Sequence, residues 1–168
     1  MKYFAYGSNM SLKRLQQRAP RAHPLGTYSL DEHELRFHKL SKDGSGKCDA
    51  FYTGDNSYVV MGVLYEIHES EKAALDIAEG VGWGYEDKEV SVSSTEGKIV
   101  TAVTYCATRI KKSLRPYSWY KKHVLVGARE ANLPSEYRAG IEAIDVLKDP
   151  DQKREAEQYA IHSSQFAV

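Results

Sequence analysis

The chain has 168 residues, close to the length of one ordinary domain. Its composition is that of a globular protein, 42% hydrophobic and 27% charged, with 23 basic residues balanced by 23 acidic ones for a formal net charge of zero. That balance argues against a nucleic-acid binder, which carries a basic excess or stripe, and no stretch approaches the ~20 apolar residues that span a bilayer.

The opening MKYFAYG lacks the apolar core and cleavage site of a secretion signal. Cys48 and Cys106 fit no metal or redox spacing, so they read as reduced structural thiols and the chain as cytoplasmic. Residues 3–6 are compact and aromatic and predict a short strand, which runs into the turn residues Gly7, Ser8 and Asn9. Leu12 and Leu15 then stand at helical spacing within 11–18, and Pro20 stops that helix. Residues 25–53 mix Leu30, Leu35, Phe37, Phe51 and Tyr52 with charges, and predict short strands joined by an exposed loop at Gly44-Ser45-Gly46. The run 58–67 is almost continuously apolar and predicts the strongest strand, buried on both faces.

Ser70 is placed to cap a helix over 71–79 that ends at Gly80. Residues 85–92 and 99–107 predict a hairpin around Thr95, Glu96 and Gly97. After Pro116, Tyr117, Tyr120, Val124 and Ala128 recur at helical spacing, Leu133-Pro134-Ser135 breaks the chain, and Tyr137, Ile141 and Ile144 mark a further short helix. Asp149 and Pro150 open a charged helix through about residue 161, and the tail from His162, with little to bury, is expected to fray. Strands first and helices late is an α+β order. It divides the chain into one domain at 1–148 and a C-terminal helix and tail at 149–168. The basic cluster Arg109, Lys111, Lys112 and Arg115 reads as a solvated loop.

Two places can carry chemistry. In Tyr6-Gly7-Ser8-Asn9, a strand turns sharply into a helix, and Gly and Asn tolerate the backbone geometry that points successive N–H groups into one concavity. With the free N–H groups of the following helix start, such a loop can hold a carboxylate or an oxyanion. On the residues alone it reads first as a plain strand-to-helix turn. The second place is Glu79, in the last turn of its helix, where the dipole disfavours negative charge and any desolvation raises a carboxyl pKa toward the range of a general base. The bland reading is an exposed helix-end glutamate before a cap glycine. Twelve tyrosines, Tyr85 and Tyr120 among them, suit either a core or the walls of a small polar pocket. No Walker loop, GxGxxG, HExxH, GxSxG elbow or Cys/His cluster is present, so no metal site or cofactor is expected.

The run Tyr3-Phe4-Ala5-Tyr6-Gly7-Ser8-Asn9-Met10 resembles the N-terminal signature of the γ-glutamylcyclotransferases, within the wider AIG2-like superfamily. Met61-Gly62-Val63-Leu64-Tyr65 resembles that family's central strand, and Leu75-Asp76-Ile77-Ala78-Glu79-Gly80-Val81 the segment with its catalytic glutamate. Tyr120-Lys121-Lys122, Gly127-Ala128-Arg129-Glu130 and Leu133-Pro134 resemble its late helix and exit, so the match runs from residue 3 to about 145. The resemblance implies a small mixed β-barrel with flanking helices. It further implies a loop of Tyr6, Gly7, Ser8 and Asn9 that binds a glutamyl group through its backbone, Glu79 as general base, and Tyr85 and Tyr120 against the substrate. The implied activity is metal-free, cofactor-free acyl transfer on a small γ-glutamyl amino acid or dipeptide, closing 5-oxoproline and releasing the free amine. No nucleic acid or membrane partner is implied, and a homodimer is what some family members suggest. Relatives acting on γ-glutamyl-amines or γ-glutamyl-protected biosynthetic intermediates give an alternative substrate, and a binding module without turnover gives an alternative class. One departure is visible: the loop 82–85 is a residue shorter than in the animal enzymes, so Tyr85 is not matched to the family tyrosine by position alone.

Overall fold

The computed structural model describes residues 1–163. Five strands close a mixed barrel: β1 (Lys2–Ala5), β5 (Val59–Glu66), β2 (His23–Asp31), β6 (Tyr85–Ser94) and β7 (Ile99–Ala107), in that order around it. Every barrel pairing is antiparallel except the seam, where β1 runs parallel to β7 at Tyr3 and Val103. A separate two-stranded sheet, β3 (His33–Leu40) with β4 (Gly46–Tyr52), accompanies the barrel. The helices are α1 (Leu12–Gln16), α2 (Lys72–Glu79), α3 (Ser118–Glu130), α4 (Ser135–Glu142) and α5 (Gln152–Ala160).

The expected α+β barrel with flanking helices is thus the architecture observed. The apolar run at 58–67 becomes β5, which sits between β1 and β2 with Val60, Val63, Leu64 and Tyr65 buried. Phe4, Leu64, Val60 and Val92 are essentially inaccessible, and full burial of side chains of this size stabilises by roughly 1.5–3 kcal/mol each. The hairpin β6–β7 turns where expected, in register from Tyr85↔Ala107 to Ser93↔Ile99.

Four expectations are corrected. The segment 25–53 forms three full strands, and its glycine-rich loop is not exposed throughout: Ser45 is fully buried, and Gly46 N–H donates to the Arg115 carbonyl. Ser70 does not cap α2; a 3-10 turn at Glu69–Glu71 precedes the helix, and the His68 side chain caps that turn by accepting from Ser70 N–H. The cap of α5 is Asp151, whose side chain accepts from Arg154 N–H. Asp149 instead lies buried, accepting from Trp119 Nε1 at 2.8 Å and from Nε of Arg154 at 2.6 Å. Finally, His162 is not a frayed tail residue but is buried, with Nε2 2.7 Å from Nδ1 of His123. The rest of the expected tail, 164–168, lies outside the described residues.

One contact positions the site. At Gly127 of α3, a Cβ would stand 2.5 Å from Ser11 N and from Met10 Cβ, so only glycine lets the helix lie directly on the chain leaving the first loop. Tyr65 of β5 holds the same point from the barrel side, its hydroxyl donating to the Met10 carbonyl at 2.7 Å.

Candidate active site

β1 ends at Ala5 and the chain passes through Tyr6 and Gly7 into a 3-10 turn at Ser8–Met10. Met10 N–H donates to the Gly7 carbonyl at 3.0 Å, and Ser11 N–H to that of Ser8 at 3.3 Å. The first N–H groups of such a turn have no acceptor within it, which makes the loop a set of donors for a bound anion.

Glu79 reaches this loop from α2. The helix ends there because Gly80 adopts φ 74°, a left-handed conformation that costs glycine nothing. Gly80 N–H bonds the Ile77 carbonyl and Val81 N–H that of Asp76, the paired bonds of a Schellman ending. With its backbone fixed, Glu79 accepts through Oε1 from Asn9 Nδ2 at 2.8 Å. The same Nδ2 donates to the Tyr3 hydroxyl at 3.1 Å, and Asn9 Oδ1 takes Nη1 of Arg18 at 2.8 Å. Arg18 therefore dictates which way the Asn9 amide points, since a guanidinium only donates, and the amide's donor end is left for Glu79. Among the described residues, Oε2 of Glu79 takes no hydrogen bond.

A small cavity opens at this junction, lined by Tyr3, Tyr6, Gly7, Ser8, Asn9, Cys48, Glu79, Tyr85, Tyr105 and Tyr120. All seven residues singled out in the sequence meet in it. Tyr85, whose place the shortened loop left undetermined, begins β6 with its ring buried in the cavity wall and its hydroxyl donating to the Cys48 carbonyl. Tyr120 comes from α3, and its hydroxyl accepts from Cys48 N–H at 3.1 Å.

Tyr3, Cys48 and Tyr105 complete the wall without having been singled out as ligand contacts, and Arg18 orients from behind it. Tyr3 stands within the opening signature, which was the one available signal. Cys48 and Tyr105 come from β4 and β7, far from the other residues along the chain, with nothing local to mark them.

The electrostatics are one-sided. Burial first, and then the Glu79 charge, push the Tyr3 phenol far above its ordinary value; burial does the same at Tyr6, Tyr85 and Tyr120. These phenols stay neutral at physiological pH. Burial also lifts the Cys48 thiol to about 12, so no thiolate nucleophile forms. Among the described residues lining the cavity, Glu79 is the one carboxylate. A pinned carboxylate, an amide-lined turn and neutral phenols can move a proton and stabilise an oxyanion, and they lack an activated serine or cysteine.

Fold and site together define a small barrel protein with a single carboxylate, Glu79, among the described residues lining its cavity. Residues 59–141 match the AIG2-like family. The chain is 34% identical over 148 residues to the γ-glutamylcyclotransferase of Bos taurus, an alignment covering 85% of this chain and 78% of that one, and 34% identical over 151 residues to that of Homo sapiens, with the same coverage. A solved γ-glutamyl cyclotransferase superposes with a TM-score of 0.83 at 30% identity, covering 95% of this chain and 98% of that one. The chain belongs to the γ-glutamylcyclotransferase family, and its cyclotransferase function follows from that membership. Among the described residues, no helix is long and apolar enough to cross a membrane.

Proposed function

We propose that this protein converts a γ-glutamyl amino acid or dipeptide to 5-oxoproline and the free amine, by metal-free internal aminolysis with Glu79 as the base. The observation that carries the reading is the Glu79 carboxylate, pinned through one oxygen by Asn9 and open at the other among the described residues, in a cavity that the Gly7-Ser8-Asn9 turn also lines.

The substrate's α-ammonium gives a proton to Glu79, and the freed amine attacks the γ-carbonyl of the same residue. The forming C–N bond closes a five-membered ring, and the carbonyl oxygen becomes an oxyanion. Because nucleophile and electrophile belong to one molecule, holding the folded-back conformer removes several kcal/mol from the barrel-bound barrier. N–H groups of the Gly7-Ser8-Asn9 turn stabilise the oxyanion or anchor the substrate carboxylate. As the oxyanion re-forms the carbonyl and the old amide C–N bond breaks, Glu79 gives its proton to the leaving nitrogen. It then takes the second proton from the ring nitrogen and passes it to the departing amine, leaving a neutral lactam, an ammonium and a free Glu79 carboxylate. A proton shuttle of this kind contributes on the order of 10²–10⁴-fold.

Release of 5-oxoproline from γ-glutamyl-alanine, compared between wild type and Glu79→Gln, tests the reading. The variant keeps the Oε1 acceptor for Asn9, so it is expected to fold normally and to lose on the order of 10²–10⁴-fold in kcat. Turnover by Glu79→Gln near the wild-type rate removes Glu79 from the role of base. No turnover by the wild type, together with binding of 5-oxoproline, favours a binding module.

A further inference from the structure

Beside the cavity, against the ring of its lining residue Tyr85, lies a second feature, which the proton chemistry does not use. Lys39 lies near the end of β3, just past a register irregularity between Arg36 and Lys39. It is only 5% exposed, yet among the described residues its ammonium has neither an ion pair nor a hydrogen bond. Its Nζ stands 4.3 Å from the centre of the Tyr85 ring, which lines the cavity, and 5.6 Å from that of Trp83. Burial lowers its pKa, opposed first by the charge of Glu79 and then by that of Asp43. Glu79 is thus within electrostatic reach of Lys39 without pairing with it.

Two more cations gather on the same indole. Lys42 Nζ is 5.5 Å from the Trp83 ring centre and Arg109 Cζ is 4.6 Å from it, and neither meets a carboxylate among the described residues. Backbone bonds tie the supporting segments together: Leu40 N–H to the Arg109 carbonyl at 2.8 Å, and Thr108 N–H to that of Gly84 at 3.0 Å. Gly84 itself leaves the space, since a Cβ there would meet Lys39 Cε at 2.7 Å. Three cations without a carboxylate partner, gathered on one indole, repel one another, and an arriving anion relieves that repulsion.

We propose that Lys39, assisted by Lys42 and Arg109, binds the carboxylate of the substrate's leaving group, so that the enzyme selects γ-glutamyl amino acids and peptides over γ-glutamyl-amines. This rests on the cyclotransferase reading above and supplies its leaving-group specificity. Lys39 is a specificity-determining residue here, distinct from the proton shuttle at Glu79.

The test compares γ-glutamyl-alanine with γ-glutamyl-ethylamide, whose leaving group has alanine's skeleton without the carboxylate. The wild type is expected to prefer γ-glutamyl-alanine in kcat/KM by roughly ten- to a hundredfold, the range of a hydrogen bond to a charged group. Lys39→Met is expected to reduce that preference at least tenfold, with Lys39→Arg retaining part of it. Arg109→Ala, at an exposed position that leaves packing intact, is expected to reduce the preference more modestly. The wild-type KM for γ-glutamyl-alanine should rise with salt more steeply than that for the ethylamide, because only the former carries a leaving-group carboxylate. Equal use of both substrates by the wild type, or a Lys39→Met variant with the ratio unchanged, overturns the proposal while the cyclotransferase reading stands. Failure of the wild type to release 5-oxoproline from either substrate overturns both.

Discussion

Replacing Asn9 by alanine tests whether Glu79 works because it is held. Asn9 is 4% exposed and ties three groups together: Nδ2 serves Glu79 at 2.8 Å and Tyr3 at 3.1 Å, while Oδ1 receives Arg18 at 2.8 Å. The backbone of Glu79 is fixed independently by the ending at Gly80, so the substitution frees the carboxylate's side-chain torsions and leaves the helix in place. A hydrogen bond to a charged group is worth about 1.5–3 kcal/mol. If that bond secures the reactive rotamer, kcat falls by roughly ten- to a hundredfold, at 1.4 kcal/mol per tenfold. KM should change little, because Asn9's side chain acts through Glu79 while its backbone remains to bind substrate. The assay is steady-state release of 5-oxoproline, repeated in a Glu79→Gln background. There Asn9→Ala should add little further loss, since two residues acting as one unit are not additive. A single variant within twofold of wild type, or full additivity in the double variant, refutes the positioning argument.

Gly127→Ala should be unusually disruptive for so small a change. Its Cβ would meet backbone, at 2.5 Å from Ser11 N, so α3 must shift off the loop; overpacking of this kind costs about 1–3 kcal/mol, visible as a lowered Tm with a larger fractional loss of turnover. An unchanged Tm would mean the helix does not bear on the loop. The anchor of α5 predicts an acid branch in stability. Hydrogen bonds from Arg154 hold the Asp149 carboxyl at about 2, against ~3.9 in an unfolded chain. The folded value is the lower one, so the carboxylate contributes stability above about pH 4 and loses it as pH falls toward 2, of order 2 kcal/mol in all. Asp149→Asn should therefore be less stable than wild type to urea at pH 7, with the gap narrowing by pH 2.5. A gap independent of pH would show that the pair contributes no charge-dependent stability.

What the sequence revealed, and what it hid, divides by distance along the chain. The strand-to-helix turn at Tyr6-Gly7-Ser8-Asn9 and the glycine-stopped helix at Glu79 are local events, dictated by residues that are neighbours, and both were readable. The β5 strand and the β6–β7 hairpin were readable too, since apolar periodicity and a turn suffice for them. The misreadings arose where a competing local partner or a tertiary contact overrides the expected chemistry. His68 captures Ser70 N–H before Ser70 can cap α2, and Asp149 is drawn inward by Trp119 and Arg154, leaving Asp151 to cap α5. His162 looks like a polar tail residue until His123 is beside it.

The same division explains the site. In the proposed mechanism Glu79 carries the chemistry, but its setting is assembled from segments that share no pattern: Tyr3 and Asn9 from the first ten residues, Cys48 from β4, Tyr105 from β7 and Tyr120 from α3. Closing the barrel at the β1–β7 seam brings Tyr3 and Tyr105 edge to face, with ring centres 5.6 Å apart. Lys39 is the extreme case. In sequence it is one charge in the strand His-Glu-Leu-Arg-Phe-His-Lys-Leu, where a lysine ordinarily points to water. Only the packing of Tyr85 and Trp83 against it turns that charge into a cation held beside the cavity without a carboxylate partner among the described residues. A family's shared chemistry can therefore be carried by short motifs, while the leaving-group discrimination proposed for Lys39 rests on a residue that only the fold brings beside Tyr85.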